Sequence, residues 1–575
     1  MKSDFINHLT SNLMNTIKTD KRYLSEVFNE LPKGVINKKL ADVGGTYLAA
    51  NCDYNYIIVC PTKSLVDSIE ADKNNKYSIF KCYGGTKKDD FNSYCKSNTI
   101  KKIAVTYDSF IKLTNWIDNP NDYRVLVDEY HLLLQNMGFR EEVINNLFNT
   151  INKYDYVSYI TATPFDCKYE IKQLRELDHY EIEWERELKI NTARIKSPSP
   201  VKAVTKIIRE FLDDNLSAPN NEGVSTKVEE LYIFMNSVTS IRQVCDTLDL
   251  KEEDVKICCA NRIRNRKLMD KYDISSVTSP NRKLNFFTSK CFQGCNLFTN
   301  NGLIIVVSDA NRESMVTDLT SDLVQIAGRL RDNNEYHNCF RNFLVHIYST
   351  KSEVMSDEEF EEMMNEKVEQ ANILISGNSK LNAEESKAMI ERMNLTNDVV
   401  TVENDRLVYS ELKNNYFRYW QELRKSYKDG ISICGAYDKR FVISNQQYIS
   451  EFEFKMAKKV VVSYQQLIKD YYEDFNPEYE LEYPEFKEYK KYLTLSNLNT
   501  LNWNKDKALK AIETKKEIIS KITKLECGKF YTNAEIKKII GAKATLVKDY
   551  FVCTETKVAG KKGYRLESRI FNFTL

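Results

Sequence analysis

Short apolar runs of strand length recur along most of the first half of the chain, several with helical stretches between them. Ile57-Ile58-Val59-Cys60 stops at Pro61, and Ile103-Ala104-Val105, Arg124 to Val127 and Tyr156 to Ile160 follow. Strands buried on both faces read as unbroken apolar runs, so this rhythm predicts a parallel sheet with helices on its faces. The rhythm resumes at Leu231 to Met235 and continues through Lys283 to Phe287, Gly302 to Ser308 and Phe343 to Tyr348. Asp213 to Gly223 is polar, with Asn, Ser, Pro and Gly, and reads as a loop between domains. The expected fold class is α/β: two tandem parallel-sheet domains over residues 31–196 and 197–350.

The flanking regions differ. Residues 1–30 read as helices, with Phe5, Leu9, Leu13 and Ile17 on one face. Past Tyr348, Ser356 and Glu359 form a capping box, and residues 351–505 read as a mostly helical region of no assigned role. Its aromatics, Tyr416 to Trp420 and Tyr471-Tyr472, suit either base stacking or core packing. Residues 501–575 hold 15 Lys and 2 Arg against 8 Asp and Glu, a net of +9 in a chain of net +1, which suggests a local phosphate-binding surface. Within it, a second capping box (Thr532, Glu535) precedes two short helices, ending near Ile540 and Asp549. Phe551–Cys553 and Tyr564–Leu566 then read as strands joined by a turn holding Gly560, Lys561, Lys562 and Gly563. Residues 506–575 therefore look like a winged-helix-like module, with Lys561 and Lys562 placed for nucleic-acid phosphates. The 14 Cys lie in no CxxC pair and there are only five His, which argues against a zinc site. Neither a leader-type apolar core nor an apolar stretch long enough to span a bilayer is present, so a soluble, cytoplasmic protein with no membrane partner is expected.

The chemistry concentrates where apolar runs end. Val125-Leu126-Val127 gives way to Asp128-Glu129-Tyr130-His131. Two carboxylates there sit at the C-terminal edge of a sheet, where open α/β sheets bind ligands. Asp128 is placed to hold Mg²⁺ and Glu129 to orient or deprotonate a water; His131 is placed to couple that site to the second domain. Gly44-Gly45-Thr46 opens a helix after the weak strand Gly34-Val35-Ile36, an arrangement that binds phosphate through backbone N–H groups, with the Thr46 hydroxyl as a metal ligand. No lysine stands beside Thr46; Lys38 and Lys39, just upstream, are positioned to reach in from the other side of the loop. Thr161-Ala162-Thr163-Pro164 follows a strand and supplies hydroxyls for a hydrogen-bond relay. Farther on, the Gly294 segment can contact nucleic-acid phosphate and ATP, and Gln325 to Arg331 carries two Arg, one of which can serve as an arginine finger.

Together these segments resemble the superfamily 2 helicases of the DExH type. Gly44-Gly45-Thr46 matches motif I, Pro61 to Leu65 Ia, Val105-Thr106-Tyr107 Ib, Asp128 to His131 II, Thr161-Ala162-Thr163 III, Phe234 to Ser237 IV, Thr288 to Leu297 V and Gln325 to Arg331 VI. The short Arg-Leu-Arg ending is similar to that of viral and phage helicases, including replication-origin-binding proteins. The sequence departs from the family in three places: the motif I lysine is missing, Asn296 stands where Asp is common, and the second Arg of motif VI comes one residue early. The resemblance implies two RecA-like domains, ATP and Mg²⁺ as cofactors, and single-stranded DNA or a fork as partner. Thr62, Lys63, Thr106 and Thr288 would contact nucleic-acid phosphates, replication proteins are possible partners, and the setting would be a prokaryotic or infected host cell. Catalytic roles fall to Asp128, Glu129, Gln325, Arg329 and Arg331; Lys38, Lys39, Gly44, Gly45, Thr46, His131 and Gly294 would hold the nucleotide. Three functions stay open on sequence: an ATP-driven translocase, a slow or non-hydrolysing DNA-binding protein on a helicase fold, or the motor subunit of a restriction-type complex whose partner would do the cutting.

Overall fold

The structure, a computed structural model, describes residues 14–570 except 392, 394, 396 and 397. Eight strands form the first sheet: β1 (Met14–Thr19), β2 (Gly34–Asn37), β3 (Tyr56–Cys60), β4 (Ile79–Cys82), β5 (Lys102–Thr106), β6 (Arg124–Asp128), β7 (Val157–Thr161) and β8 (His179–Trp184). Their order is β1-β8-β2-β7-β6-β3-β5-β4, parallel throughout. The apolar runs are explained by burial on both faces. Ile57 and Val59 of β3 join one core with Val105, Val125 and Val127, while Tyr56, Ile58 and Cys60 join the other with Ala104, Leu126 and Ile160.

The second sheet takes β9 (Ile190–Lys196). After the short antiparallel hairpin of β10 (Ser217–Pro219) and β11 (Ser225–Lys227), it continues with β12 (Glu230–Phe234), β13 (Val255–Cys258), β14 (Leu284–Phe287), β15 (Gly302–Ser308) and β16 (Phe343–Tyr348). Two more strands, β17 (Val400–Glu403) and β18 (Arg406–Tyr409), pair only with each other, whereas β19 (Phe441–Tyr448) returns to this sheet. The order β13-β14-β12-β15-β16-β9-β19 is again parallel. The fold class is therefore the one expected: α/β, two tandem RecA-like parallel-sheet halves, then a mostly helical region.

Three expectations change. Met14–Thr19 is a strand, not helix: its burial alternates residue by residue, and its β-branched side chains suit pairing on the edge of β8. Phe5, Leu9 and Leu13 lie outside the described residues. The first half ends before β9, because that strand pairs with β16 and β19 of the second sheet rather than closing the first. The polar segment 213–223 is no domain linker; it follows the helix Pro200–Leu212 and turns within the second half. Residues 351–505 are mostly helical, as expected, and β19 within them covers the edge that β9 would otherwise leave unpaired.

The helix Glu411–Ser426 of that region fastens the two halves together. Tyr419 donates to Asp318 of the second half at 2.7 Å and receives a hydrogen bond from Gln135 of the first at 3.1 Å, while Gln135 also donates to Ser321 at 2.6 Å. Tyr419 stands edge-on to Tyr169, and Tyr471, farther along, is 1% exposed. These aromatics are packing groups. No helix among the described residues is long and apolar enough to cross a membrane.

Residues 261–268 and 460–575 make a separate compact unit. Its last part contains β20 (Phe530–Thr532), the helix Asn533–Ile540, a single 3-10 stretch at Ala544–Asp549 where a second α-helix was expected, then β21 (Phe551–Val558) and β22 (Lys561–Arg569), in the order β20-β22-β21. The turn between β21 and β22 is tighter than expected. Ala559 and Gly560 take it in left-handed conformation, and Lys561 and Lys562 already belong to β22, both exposed.

One buried titrating group gives a stability test. His346 of β16 is fully buried between the Ser308 hydroxyl, 2.9 Å from Nε2, and the Tyr437 hydroxyl, 2.6 Å from Nδ1. Burial, with Arg194 adding to it, pushes its pKa down to about 3. The unfolded chain takes up this proton near pH 6.5 and the folded chain only near 3, so stability falls as pH drops through that window. Between pH 7 and pH 5 the loss from this group is about 2 kcal/mol. Urea midpoints at the two pH values should move closer together in His346→Gln; an unchanged gap would refute the assignment.

Candidate functional site

Parallel strands end together on one sheet edge, so strand order decides which side chains meet. The order β2-β7-β6 places Lys38, Thr161 and Asp128 next to one another, at or just past the ends of their strands. The Lys38 amide donates to the Thr161 carbonyl at 2.9 Å. Glu129 then leaves β6 with φ +49°, a left-handed conformation that a glutamate adopts only when its surroundings enforce it. The Tyr107 hydroxyl, 2.6 Å from the Asp128 carbonyl, is one such constraint.

Side chains from both halves converge on Glu129, which is 8% exposed. The Lys38 ammonium lies 3.4 Å from Oε1. The Thr161 hydroxyl donates to Oε2 at 2.8 Å, and the Gln325 carboxamide donates to the same oxygen at 3.2 Å and to the Thr163 hydroxyl at 3.3 Å. Thr161 has one proton and gives it to the carboxylate. His131 Nδ1, 2.8 Å from the same hydroxyl, must therefore donate to it, which fixes that nitrogen as N–H. His131 thus braces Thr161 within the first half, and its buried Nε2 has no partner among the described residues.

The two carboxylates are driven apart electrostatically. Burial is the largest influence on each and raises both, and Lys38 opposes it. Asp128 ends pushed up to about 6. Glu129, which also receives the His131 and Thr161 interactions, is held well below the usual carboxylate range. For Lys38 itself, burial works against the charge, but Glu129 and Asp128 outweigh it and its pKa is raised.

The glycine loop lies alongside. Gly44, at φ +81°, turns the chain into the helix Gly45–Asn51, and a Cβ at Gly45 would stand 2.7 Å from the Ile160 side chain of β7. The helix start is thus packed against β7, and the ammonium near the carboxylates comes from Lys38 instead. Thr46, half-buried, is the second residue of that helix. The other expected groups are not gathered here. Lys39 turns to Glu181 of β8. Gly294, at φ +73°, lies against Leu65 of the first half, where a Cβ would be 3.1 Å from the leucine Cβ.

The two arginines do different things. Arg329, 3% exposed, donates to the Gln325 carbonyl at 2.7 Å, the Cys295 carbonyl at 3.1 Å and Gln325 Oε1 at 3.2 Å. It stays within its own half and orients the Gln325 amide toward Glu129. Arg331 crosses to the first half, with Nη1 2.6 Å from Asp42 in the loop before Gly44. Burial lowers its pKa to about 10, with Asp42 opposing, so it remains a cation at neutral pH. Its buried Nε has no partner among the described residues. Asp42 and Arg331 face a crevice of about 180 Å³ that Arg22, Tyr23, Arg186 and Arg341 also line. Sequence reasoning missed Asp42 and these basic neighbours. The only available signal was an acidic residue inside a loop of phosphate-binding type.

The residues expected on nucleic acid sit at other strand ends. Thr62 caps the helix Lys63–Glu70 by accepting from the Leu65 amide, and the Lys63 ammonium lies over the Tyr83 ring. Thr106 ends β5, and Thr288, just past β14, donates to the Cys258 carbonyl at 3.4 Å. Among the described residues no three His, Cys, Asp or Glu side chains form a metal cluster.

No family model matches the chain, and no curated protein matches it. Among solved structures it is similar to Mss116p bound to ssRNA and AMP-PNP, at 16% identity and a TM-score of 0.39, over 62% of this chain and 79% of that one. It is similar to the Mycobacterium smegmatis helicase Lhr bound to ssDNA and AMP-PNP, at 14% and 0.37, over 57% and 44%. A third is a variant of S. cerevisiae Dbp5 bound to RNA and ADP BeF3, at 13% and 0.36, over 57% and 81%. Likenesses this distant carry no argument for function, which rests on the groups gathered at Glu129.

Proposed function

We propose that this chain is a nucleic-acid-dependent ATPase of the superfamily 2 helicase type that translocates on single-stranded DNA or a fork, in phage or viral replication. The observation that carries the reading is the convergence of Lys38, Thr161 and Gln325, from both halves, on the single carboxylate Glu129. A site assembled from two halves responds to their closing and opening, which couples nucleotide state to movement along a strand.

Asp128, with the Thr46 hydroxyl, would hold Mg²⁺, which supplies charge neutralisation for the phosphates. Glu129 orients the attacking water, and Gln325 senses it from the second half. Lys38 takes the role of the missing loop lysine, exchanging Glu129 for the triphosphate when nucleotide binds. Nucleic-acid phosphates would lie along Thr62, Lys63, Thr106 and Thr288, contacts that ignore base identity. In the basic terminal unit, exposed Lys561 and Lys562 are suited to phosphate as well.

The test is ATP hydrolysis by the full chain, alone and with single-stranded DNA or RNA. Stimulation by DNA is expected. Stimulation by RNA alone would change the substrate class. Absence of turnover under every condition would leave the non-hydrolysing binding protein as the better reading, since Gly45 already departs from the usual loop.

Lys38 separates itself from Lys39 in the same assay. A charge-assisted contact is worth roughly 1.5–3 kcal/mol, so Lys38→Ala should weaken ATP binding about 10–100-fold. Lys39→Ala should change it little, because its side chain is spent on Glu181. Equal ATP affinity in wild type and a folded Lys38→Ala would refute the substitution of one lysine for another.

A further inference from the structure

The strand β19 brings one more residue to the site, from outside the region that resembles a helicase. Arg440 immediately precedes β19, and its carbonyl accepts from the Ile190 amide at 2.8 Å, which ties its backbone to β9 of the second sheet. Its side chain points the other way, into the first half. Nη1 donates to the Lys39 carbonyl at 2.7 Å and to the Ala162 carbonyl at 3.3 Å. Asp438 holds the guanidinium with both oxygens, at 2.6 and 3.0 Å.

The two carbonyls are well placed to matter. Lys39 directly follows Lys38 and has φ +52°, so the peptide that Arg440 grips sets where the Lys38 ammonium stands. Ala162 lies between Thr161, which donates to Glu129, and Thr163, which receives Gln325. One guanidinium therefore fixes both the loop that carries the ammonium and the turn that orients the carboxylate.

We propose that Arg440, held by Asp438, is a positioning residue of the hydrolytic site: it links the second sheet to the Lys38 loop and the Thr161–Thr163 turn, so that these segments are set only when the halves are closed. This rests on the triphosphatase reading above. Misplacement by about an ångström costs up to roughly 100-fold in rate.

Two measurements on the full chain test it. In steady-state hydrolysis, at a temperature where the thermal midpoint shows the variant folded, Arg440→Ala should lower kcat roughly 10–100-fold. Arg440→Lys should recover part of the loss, since an ammonium still reaches a carbonyl, and Asp438→Asn should fall between. The second readout is independent of turnover. The Trp184 indole donates to the Lys38 carbonyl at 2.8 Å and so reports on this loop. In fluorine NMR of fluorotryptophan-labelled protein, the Trp184 resonance, assigned with Trp184→Phe, should shift in Arg440→Ala and return toward its place in Arg440→Lys. A wild type that never hydrolyses ATP would sink the triphosphatase reading, and the resonance would still judge Arg440. An unmoved resonance, or an unchanged kcat in an active protein, overturns the proposal.

Discussion

Arg331→Ala is expected to lower nucleic-acid-stimulated ATP turnover by roughly 10³-fold or more, while Arg329→Ala is expected to fail first as a folded protein. The difference follows from where each guanidinium spends its donors. Arg331 reaches the opposite half, meets an exposed carboxylate, Asp42, and keeps a buried Nε without a partner among the described residues. A cation so placed can exchange Asp42 for a phosphate at little structural cost, which is what an arginine finger must do. Arg329 is fully engaged by Gln325 and Cys295 within its own half. Removing it strands two carbonyls and the Gln325 side chain, a loss of a few kcal/mol. The check is kcat beside the urea midpoint for each variant. Arg331→Ala with a normal midpoint and collapsed kcat is the expected pair of results; a normal kcat in that variant would move the finger elsewhere. Asp42→Ala supplies the converse, because removing the competing carboxylate should leave turnover intact and tighten ATP binding.

Much of this was legible in the sequence because parallel strands buried on both faces leave a plain signature. The runs ending at Cys60, Val105, Val127 and Ile160 are strands, three of them extending one residue farther, and the carboxylates do stand at the sheet edge. What the sequence concealed was adjacency. Lys38 and Thr161 are separated by more than a hundred residues and meet only because β2 and β7 pair, which no local pattern encodes. The edge strands were concealed for a related reason. Met14–Thr19 is half exposed and Phe441–Tyr448 mostly exposed, both are largely polar, and their strand character comes from the partner that receives them, β8 in one case and β9 in the other. With β19 goes Arg440, whose place at the site depends on a return of the chain over some ninety residues from β16. The short helical region near Tyr416 was readable as helix but not as the brace it forms through Tyr419, since that role needs Gln135 and Asp318 from different halves.

Glu129→Gln should reduce ATP turnover by about 10²–10⁴-fold, the range for losing a positioned acid–base group, while leaving ATP and nucleic-acid binding nearly intact. The substitution keeps the shape of the side chain, so the Thr161 hydroxyl and the Gln325 amide can still donate to its one remaining oxygen. What disappears is the negative charge that holds the water and balances Lys38. Lys38 keeps Asp128 nearby, which limits the cost to folding. With its competing carboxylate gone, Lys38 is freer for the triphosphate, so ATP affinity should hold or rise. That pairing of collapsed kcat with undiminished affinity distinguishes Glu129 from Lys38, whose loss should act on binding first. Equilibrium binding of a non-hydrolysable ATP analogue, measured beside turnover with saturating single-stranded DNA, separates the two. If Glu129→Gln keeps turnover within a few-fold of wild type, the groups converging on this carboxylate serve structure rather than hydrolysis, and the water must be held by another residue.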